Sequence, residues 1–331
     1  AVTERGGGRP GTDLVVVGDC NPDVLVLGDD VTPAFGQQEK LVDGIWMVVG
    51  GSAAITAVAA ARLGLSVELV AAVGADPAGD FMLGQLAREG VGTAAVAVRD
   101  GAPTGMTVAL SRGADRAILT APGAMTSLAA RDVPAALLTR ARHVHISSYF
   151  LLERSLGPGL AALLAAARAA GATTSLDTNW DPAGRWGDGP LRAALAQADV
   201  LLPNETEAMR IAGEPALPAA AAALTTAGPR LAVKLGERGA LCADGPVWHR
   251  VGLAPVTPLD STGAGDCFNA GLIAGLLRGL ALPGAAALGC AVGALSTRAA
   301  GGTAGSPDLA SAMALARTAT IRRVGAGTPV P

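Results

Sequence analysis

Aromatic side chains are scarce in this chain. Four Phe, four Trp and one Tyr make up 3% of 331 residues. Charge is sparse as well, at 16%, and the formal net charge is −3 with no basic block anywhere. A nucleic-acid surface therefore has no electrostatic footprint. The four cysteines, Cys20, Cys242, Cys267 and Cys290, lie far apart and form no C-x-x-C pair. That excludes a disulfide framework or a thiolate zinc site and points to buried thiols in a reducing cytoplasm. Residues 1–13 are charged and glycine-rich with no apolar segment, so they read as a disordered lead-in and not as a signal peptide. The apolar stretch from Cys267 to Leu295 is interrupted by Arg278, Pro283 and several glycines, which favours a buried helix–turn–helix over a membrane span. After the first apolar run comes Gly18-Asp19-Cys20-Asn21, not G-x-G-x-x-G. The cue for a dinucleotide-dependent oxidoreductase is thus missing.

What the chain does have is apolar bulk, with 50% hydrophobic residues and long alanine runs. Short apolar runs at Leu14–Val17, Val67–Val73, Thr173–Leu176, Val200–Leu202 and Leu231–Leu235 read as buried strands. Ala-rich helical stretches alternate with them, which predicts an α/β fold with a largely parallel central sheet flanked by helices. The most informative stretch is Asp260-Ser261-Thr262-Gly263-Ala264-Gly265-Asp266. Apolar residues follow it at helical spacing, so a helix is predicted to start at about Gly263. A helix start offers unpaired N–H groups and the positive end of the macrodipole. Gly263, Ala264 and Gly265 let an anion approach that backbone, and Asp266 lies in the first turn. A carboxylate is favoured there for helix stability alone. Beside an anion hole it can also serve as a general base, and the pairing suits phosphoryl transfer to a hydroxyl.

The heptapeptide resembles the Asp-Thr-x-Gly-Ala-Gly-Asp signature of the ribokinase-type (PfkB) carbohydrate kinase family, with Ser261 in the second position. Two further motifs stand in the family's order. Gly50-Gly51-Ser52-Ala53-Ala54-Ile55, closing on Ala61-Arg62-Leu63-Gly64, resembles its N-terminal signature. Asn204-Glu205-Thr206-Glu207 resembles its Asn-x-x-Glu motif, and is equally a capping box at the start of a helix. The similarity runs over roughly residues 14–320.

The resemblance implies a ribokinase-like three-layer α/β/α domain over 14–320. Lid segments are expected at about 23–48 and 95–120, and a loose tail at 321–331. It implies ATP and Mg2+ as cofactors, potassium as a monovalent cation, a sugar-like substrate and a homodimer through the lid. Asp266 becomes the base, and the Gly263–Asp266 backbone the anion hole. Asn21 and Asp23, just past the first strand, become ligands of sugar hydroxyls, although both types also form turns. Gly50, Gly51, Ser52 and Ile55 line the substrate. Asn179, Lys234, Gly236 and Thr262 fall on the nucleotide side. Asn204 and Glu207 act on Mg2+ through water, and Asp260 lies by the monovalent cation.

Two departures bear on the substrate. Ser52 stands where ribokinase has Lys, and Ile55 where the family has an Asn that bonds a sugar hydroxyl. Ile can donate nothing, so plain ribose held in the usual way is disfavoured. An apolar wall keeps a nucleoside acceptor open, with Phe35, Trp46 and Tyr149 as candidate aromatic platforms, and a non-catalytic sugar-binding protein is the remaining alternative. His143 and His145 share a strand face and are either metal ligands or ordinary strand-end residues.

Overall fold

The computed structural model describes residues 11–112, 115–187 and 189–325. The strands in chain order are β1 (Leu14–Val17), β2 (Asn21–Leu27), β3 (Gly44–Gly50), β4 (Val67–Gly74), β5 (Val96–Arg99), β6 (Met106–Arg112) and β7 (Asp115–Ala121). They continue as β8 (His143–Ile146), β9 (Thr173–Leu176), β10 (Val200–Leu201), β11 (Arg230–Lys234), β12 (Ala240–Asp244), β13 (Val247–Gly252) and β14 (Thr320–Val324).

Ten of them form one sheet in the order β14-β13-β12-β11-β10-β9-β8-β1-β4-β5. From β5 to β11 the neighbours are parallel, and β11 to β14 pair antiparallel. The parallel strands are short and apolar on both faces because helices cover both. In β1, Val15 and Val17 pack into one layer with Val144 and Ile146, and Leu14 and Val16 into the other with Val58 and Leu69. The chain runs from β1 outward to β4 and β5, then returns to β8 on the other side of β1. A crevice opens at such a switch point, at the carboxyl ends of the strands.

The second sheet, ordered β3-β2-β6-β7, is the expected lid. Strands β2 and β3 are antiparallel, β2 and β6 parallel, and β6 and β7 antiparallel. Its root is tied to the large sheet at Thr104. The Thr104 N–H and hydroxyl donate to the Asp76 carboxylate at 2.7 and 2.6 Å, and the Gly74 N–H donates to the Thr104 hydroxyl at 2.8 Å.

The apolar stretch after Asp266 resolves into two helices, Ala264–Leu277 and Leu282–Ser296, packed on the large sheet. Both are apolar around most of their circumference, the signature of a buried helix. Among the described residues, no helix is long and apolar enough to cross a membrane.

Several boundaries differ from expectation. Val96–Arg99 pairs in parallel with β4, so the second lid segment starts at β6 and not at residue 95. Thr320–Val324 is an edge strand on β13, not part of a loose tail. Its exposed Arg322 and Arg323 hide the strand pattern, and an edge tolerates such charges. The end of the lead-in is anchored. Asp13 accepts from the Ser66 N–H at 3.0 Å and from Arg142 Nη1 at 2.8 Å. Residues 1–10 and 326–331 lie outside the described residues.

Candidate active site

Four strands of the parallel core deliver polar residues to the crevice. Asp19 follows β1, Asp177 and Asn179 follow β9, Asn204 follows β10, and Lys234 ends β11. The helix Ala264–Leu277 enters from above with Gly263 at its N-cap.

Gly263 has φ +71°, and a Cβ there would lie 2.7 Å from Gly302 Cα and 3.1 Å from Ile55 Cγ2. Both the left-handed backbone and the crowding require glycine. The turn is held from behind by Asp260. Its Oδ1 accepts from the Thr262 N–H at 2.9 Å and the Thr262 hydroxyl at 2.7 Å, and its Oδ2 accepts from the Gly301 N–H at 2.8 Å. The Thr262 hydroxyl thus faces Asp260. The Ala264 N–H turns back to the Ser261 carbonyl at 3.2 Å. Ala264 is therefore not a donor of the expected anion hole. The helix start still presents the amides of Gly265 and Asp266.

Asp266 is buried in the first turn. Burial pushes its carboxyl well above the usual range, and the Asp177 and Asp19 carboxylates add to the rise. Lys234 and a hydrogen bond from the Ser52 hydroxyl oppose it. Ser52 Oγ in turn accepts from Asn179 Nδ2 at 2.8 Å. Asn179 has φ +55°, a conformation Asn tolerates, and its Oδ1 accepts from the Ser148 N–H at 3.1 Å. Asn179 therefore braces Ser52 from the side of the glycine pair.

Lys234 Nζ donates to Asp177 Oδ2 at 2.5 Å and lies 3.6 Å from where a Cβ on Gly265 would be. Burial works against its charge, but Asp177, Glu207 and Asp266 more than offset this and raise its pKa. Asn269, one turn beyond Asp266, donates to the same Asp177 oxygen at 2.6 Å. The next turn, Gly236–Arg238, opens on Gly236 at φ +61° and is closed by the Leu235 N–H on the Gly239 carbonyl at 2.9 Å.

Asn204 and Glu207 form the capping box in full. Asn204 Oδ1 accepts from the Glu207 N–H at 2.9 Å, and Glu207 Oε2 accepts from the Asn204 N–H at 2.8 Å. Burial pushes the Glu207 carboxyl up to about 7, with Asp177 adding to the rise. The oxygen-only donors and the excess of buried carboxylates over Lys234 fit a hard divalent cation such as Mg2+. Glu207 and Asn204 are the residues that would face it, and no cluster of three or more His, Cys, Asp or Glu forms a metal cage among the described residues.

On the lid side, Asn21 Nδ2 donates to Asp23 Oδ1 at 3.3 Å and to Thr107 Oγ1 at 3.2 Å. Thr107 and Thr120 hydroxyls are 3.2 Å apart. Gly50 and Gly51 make room for this patch. A Cβ on Gly50 would lie 2.0 Å from Asp23 Oδ1, and one on Gly51, at φ +79°, would lie 3.1 Å from Asn21 Oδ1. The pair therefore admits two of the chain's own polar side chains.

Ser52 is the first residue of its helix and not its cap. Gly51 holds that position without a side chain, and Asp19 caps from outside. Asp19 Oδ2 accepts from the Ser52 N–H at 3.0 Å and Oδ1 from the Ala53 N–H at 2.9 Å. Ile55 is buried between Gly263 and Gly302. His143 and His145 are buried in the sheet on either side of the Ser175 hydroxyl, each ring at 2.7 Å. Burial lowers their pKa values to about 3 and 4.

Sequence reasoning missed Asp19, Asp177 and Asn269. Asp177 stands two residues before Asn179, and Asn269 three after Asp266, so both were within reach of spacing arguments. Asp19 belonged to no motif.

The family model for pfkB family carbohydrate kinases matches residues 11–309. A fructokinase of Salmonella typhimurium is 30% identical over 266 residues, covering 77% of this chain and 85% of the relative. An Arabidopsis thaliana ribokinase solved with ribose and ATP superposes with a TM-score of 0.79 at 22% identity, over 93% of this chain and 99% of that one. An E. coli protein described as a ribokinase II, solved with ATP and Mg2+, gives a TM-score of 0.81 at 24% identity, over 92% and 99%. At these identities the two structures carry the fold.

Proposed function

The chain belongs to the pfkB family of carbohydrate kinases, and from that premise we propose that it transfers the γ-phosphoryl group of ATP to a primary hydroxyl of a small carbohydrate-like substrate. The observation that carries this reading is Asp266. It is a buried carboxylate, its pKa raised by burial and by the neighbouring Asp177, in the first turn of a helix whose N-terminus is bent open by Gly263. A buried carboxylate of raised basicity at an anion-binding helix start is what proton removal from an attacking hydroxyl needs.

Asn21 and Asp23 hold the substrate hydroxyls from the lid root. Asp266 accepts the proton of the reacting hydroxyl. The amides of Gly265 and Asp266, with the Lys234 ammonium beneath them, face the charge on the transferring group. When bound, ATP supplies the phosphoryl group and Mg2+ offsets the charge of its phosphates. Glu207 and Asn204 orient water toward that ion, and the turn at Gly236 borders the nucleotide. Potassium would be held by main-chain carbonyls of the loop behind Asp260, because the Asp260 carboxylate is engaged with Thr262 and Gly301. The four cysteines are free and buried, which supports a cytoplasmic setting.

The lid supports a homodimer. Its face away from the site carries Ile45, Met47 and Leu119, at 62%, 45% and 64% exposure, with Val24, Val26 and Val108 between them. A contiguous apolar sheet face of this kind marks an association surface.

The test is Asp266→Asn. Turnover should fall by about 10²–10⁴ while ATP affinity, read by calorimetry, stays within a few fold. Near-normal ADP release by this variant would overturn the assignment.

A further inference from the structure

The lid face that looks into the site has two unlike halves. Side chains alternate along a strand, so the face is read from pairing. The inner row is mainly polar: Asp23 with Thr107 and Thr120, Asn21 bonded to Thr107, and Val48 as its one apolar member on β3. The next row outward on the same face is Trp46, Leu25, Ala109 and Ile118, which are direct neighbours across the four strands. No polar side chain stands in it. Leu25 Cδ1 and Val48 Cγ2 come within 3.5 and 3.4 Å of where a Cβ on Gly301 would be, so this face closes against the loop beside the heptapeptide. Ile55 continues the apolar wall below, against Gly302.

Trp46 gives the row its character. Its indole lies flat over Gly44, with ring carbon Cη2 2.0 Å from where a Cβ would be, and half of the residue stays exposed. A glycine seat beneath an exposed indole presents one ring face outward, as a stacking platform does. Tyr149, Trp180 and Phe35 offer no such seat. Tyr149 is fully buried against Phe150, Trp180 leans on Trp186 at 4.9 Å as the end of a core aromatic stack, and Phe35 is 93% exposed on the loop between β2 and β3.

We propose that the acceptor is a glycoside bearing a planar apolar group, its hydroxyls held by Asn21, Asp23 and the threonines and its aglycone stacked on Trp46 beside Leu25 and Ile118. This rests on the kinase reading and names its substrate class. A bare sugar would leave the outer row facing water. A base or an aryl group would cover it, and both arms are kept in the test.

The experiment is calorimetry on the full chain with matched pairs, methyl against phenyl ribosides and fructosides, together with adenosine. The phenyl member of at least one pair, or adenosine, should bind about tenfold tighter than the methyl glycoside. Trp46→Ala should erase that difference and leave the methyl glycoside unchanged. Adenosine binding well above the phenyl riboside would identify a heteroaryl base, and comparable binding a general aryl aglycone; both support the proposal. Equal affinity within every pair with adenosine no tighter than the methyl riboside, or no binding by any of these ligands, overturns it, and the wild-type comparison decides this even if Trp46→Ala fails to fold. If Trp46→Ala alters the sedimentation coefficient and leaves the paired affinities alone, the row is a contact between copies and the proposal fails. ADP formed equally well with free sugars would sink this inference alone. Tight aryl binding without any ADP would sink the kinase reading alone.

Discussion

Replacing Lys234 by Met should move the pH dependence of catalysis as well as lower its maximum. Asp266 works only as a carboxylate, so kcat/KM falls as pH drops through its pKa. Burial raises that pKa most, Asp177 raises it further, and Lys234 lowers it. An opposite charge within about 4–6 Å of a carboxylate lowers its pKa by about 1–3 units. Removing the ammonium should therefore shift the acid limb upward by about 1–3 pH units, with a tenfold loss per unit at fixed pH below it. An alkaline plateau should persist at reduced height, because the base is still there once deprotonated while the ammonium that faces the transferred charge is gone. Lys234→Met also leaves Asp177 facing Asn269 with no ion partner. Breaking a buried pair on one side costs about 3–5 kcal/mol, so the variant is paired with Lys234→Met/Asp177→Asn. In the double variant the lowering and the raising charge leave together, and the limb should return toward its original position. Coupled ADP assays from about pH 5 to 10 read the limb, and thermal melts confirm folding. A limb within about 0.3 units of the parent would refute the reasoning. So would a loss of equal size at every pH, which would mean that the lysine leaves the pKa of Asp266 alone.

Asp19→Ala removes both acceptors that cap the helix Ser52–Arg62, where Gly51 offers none. The urea midpoint should fall by the equivalent of about 1–3 kcal/mol, and an unchanged midpoint would mean that water replaces the carboxylate at no cost. Met47→Glu should convert a dimer to a monomer in sedimentation without changing the fold. A wild-type chain that already sediments as a monomer would remove the lid dimer from consideration.

The alternation of apolar runs and the three separated motifs carried most of the architecture, because buried parallel strands and glycine turns leave dense local signals. Asp266 and Gly263 were legible for that reason. Asp177, Asn269 and Lys234 were not legible as a unit, since they meet only when β9, β11 and the helix Ala264–Leu277 converge. Asp19 was hidden because it caps its helix from 33 residues away in the sequence. The β14 strand escaped because its register against β13 is set by backbone pairing while its side chains face solvent. The apolar outer row of the lid was invisible for a different reason. Trp46, Leu25, Ala109 and Ile118 come from four strands, and only pairing aligns them.

The attachment of the lid sets a lever. Strands β2 and β3 leave the core beside Asp19 and Gly51, and β6 leaves it at the Thr104–Asp76 clamp. Any rotation about that root moves each residue in proportion to its distance along the strand. At roughly 3.4 Å per residue, Asp23 lies about 7 Å out from Asn21, and Gly44 about 20 Å from Gly50 at the other end of β3. A rotation of about 10° would carry the strand tip by roughly 3.5 Å and Asp23 by little more than 1 Å, taking the same rise per residue. The hydroxyl-binding end is thus near the fulcrum and almost stationary, while the indole end sweeps. A molecule entering the cleft would meet its polar contacts in nearly final geometry before the sheet swung over the rest of it.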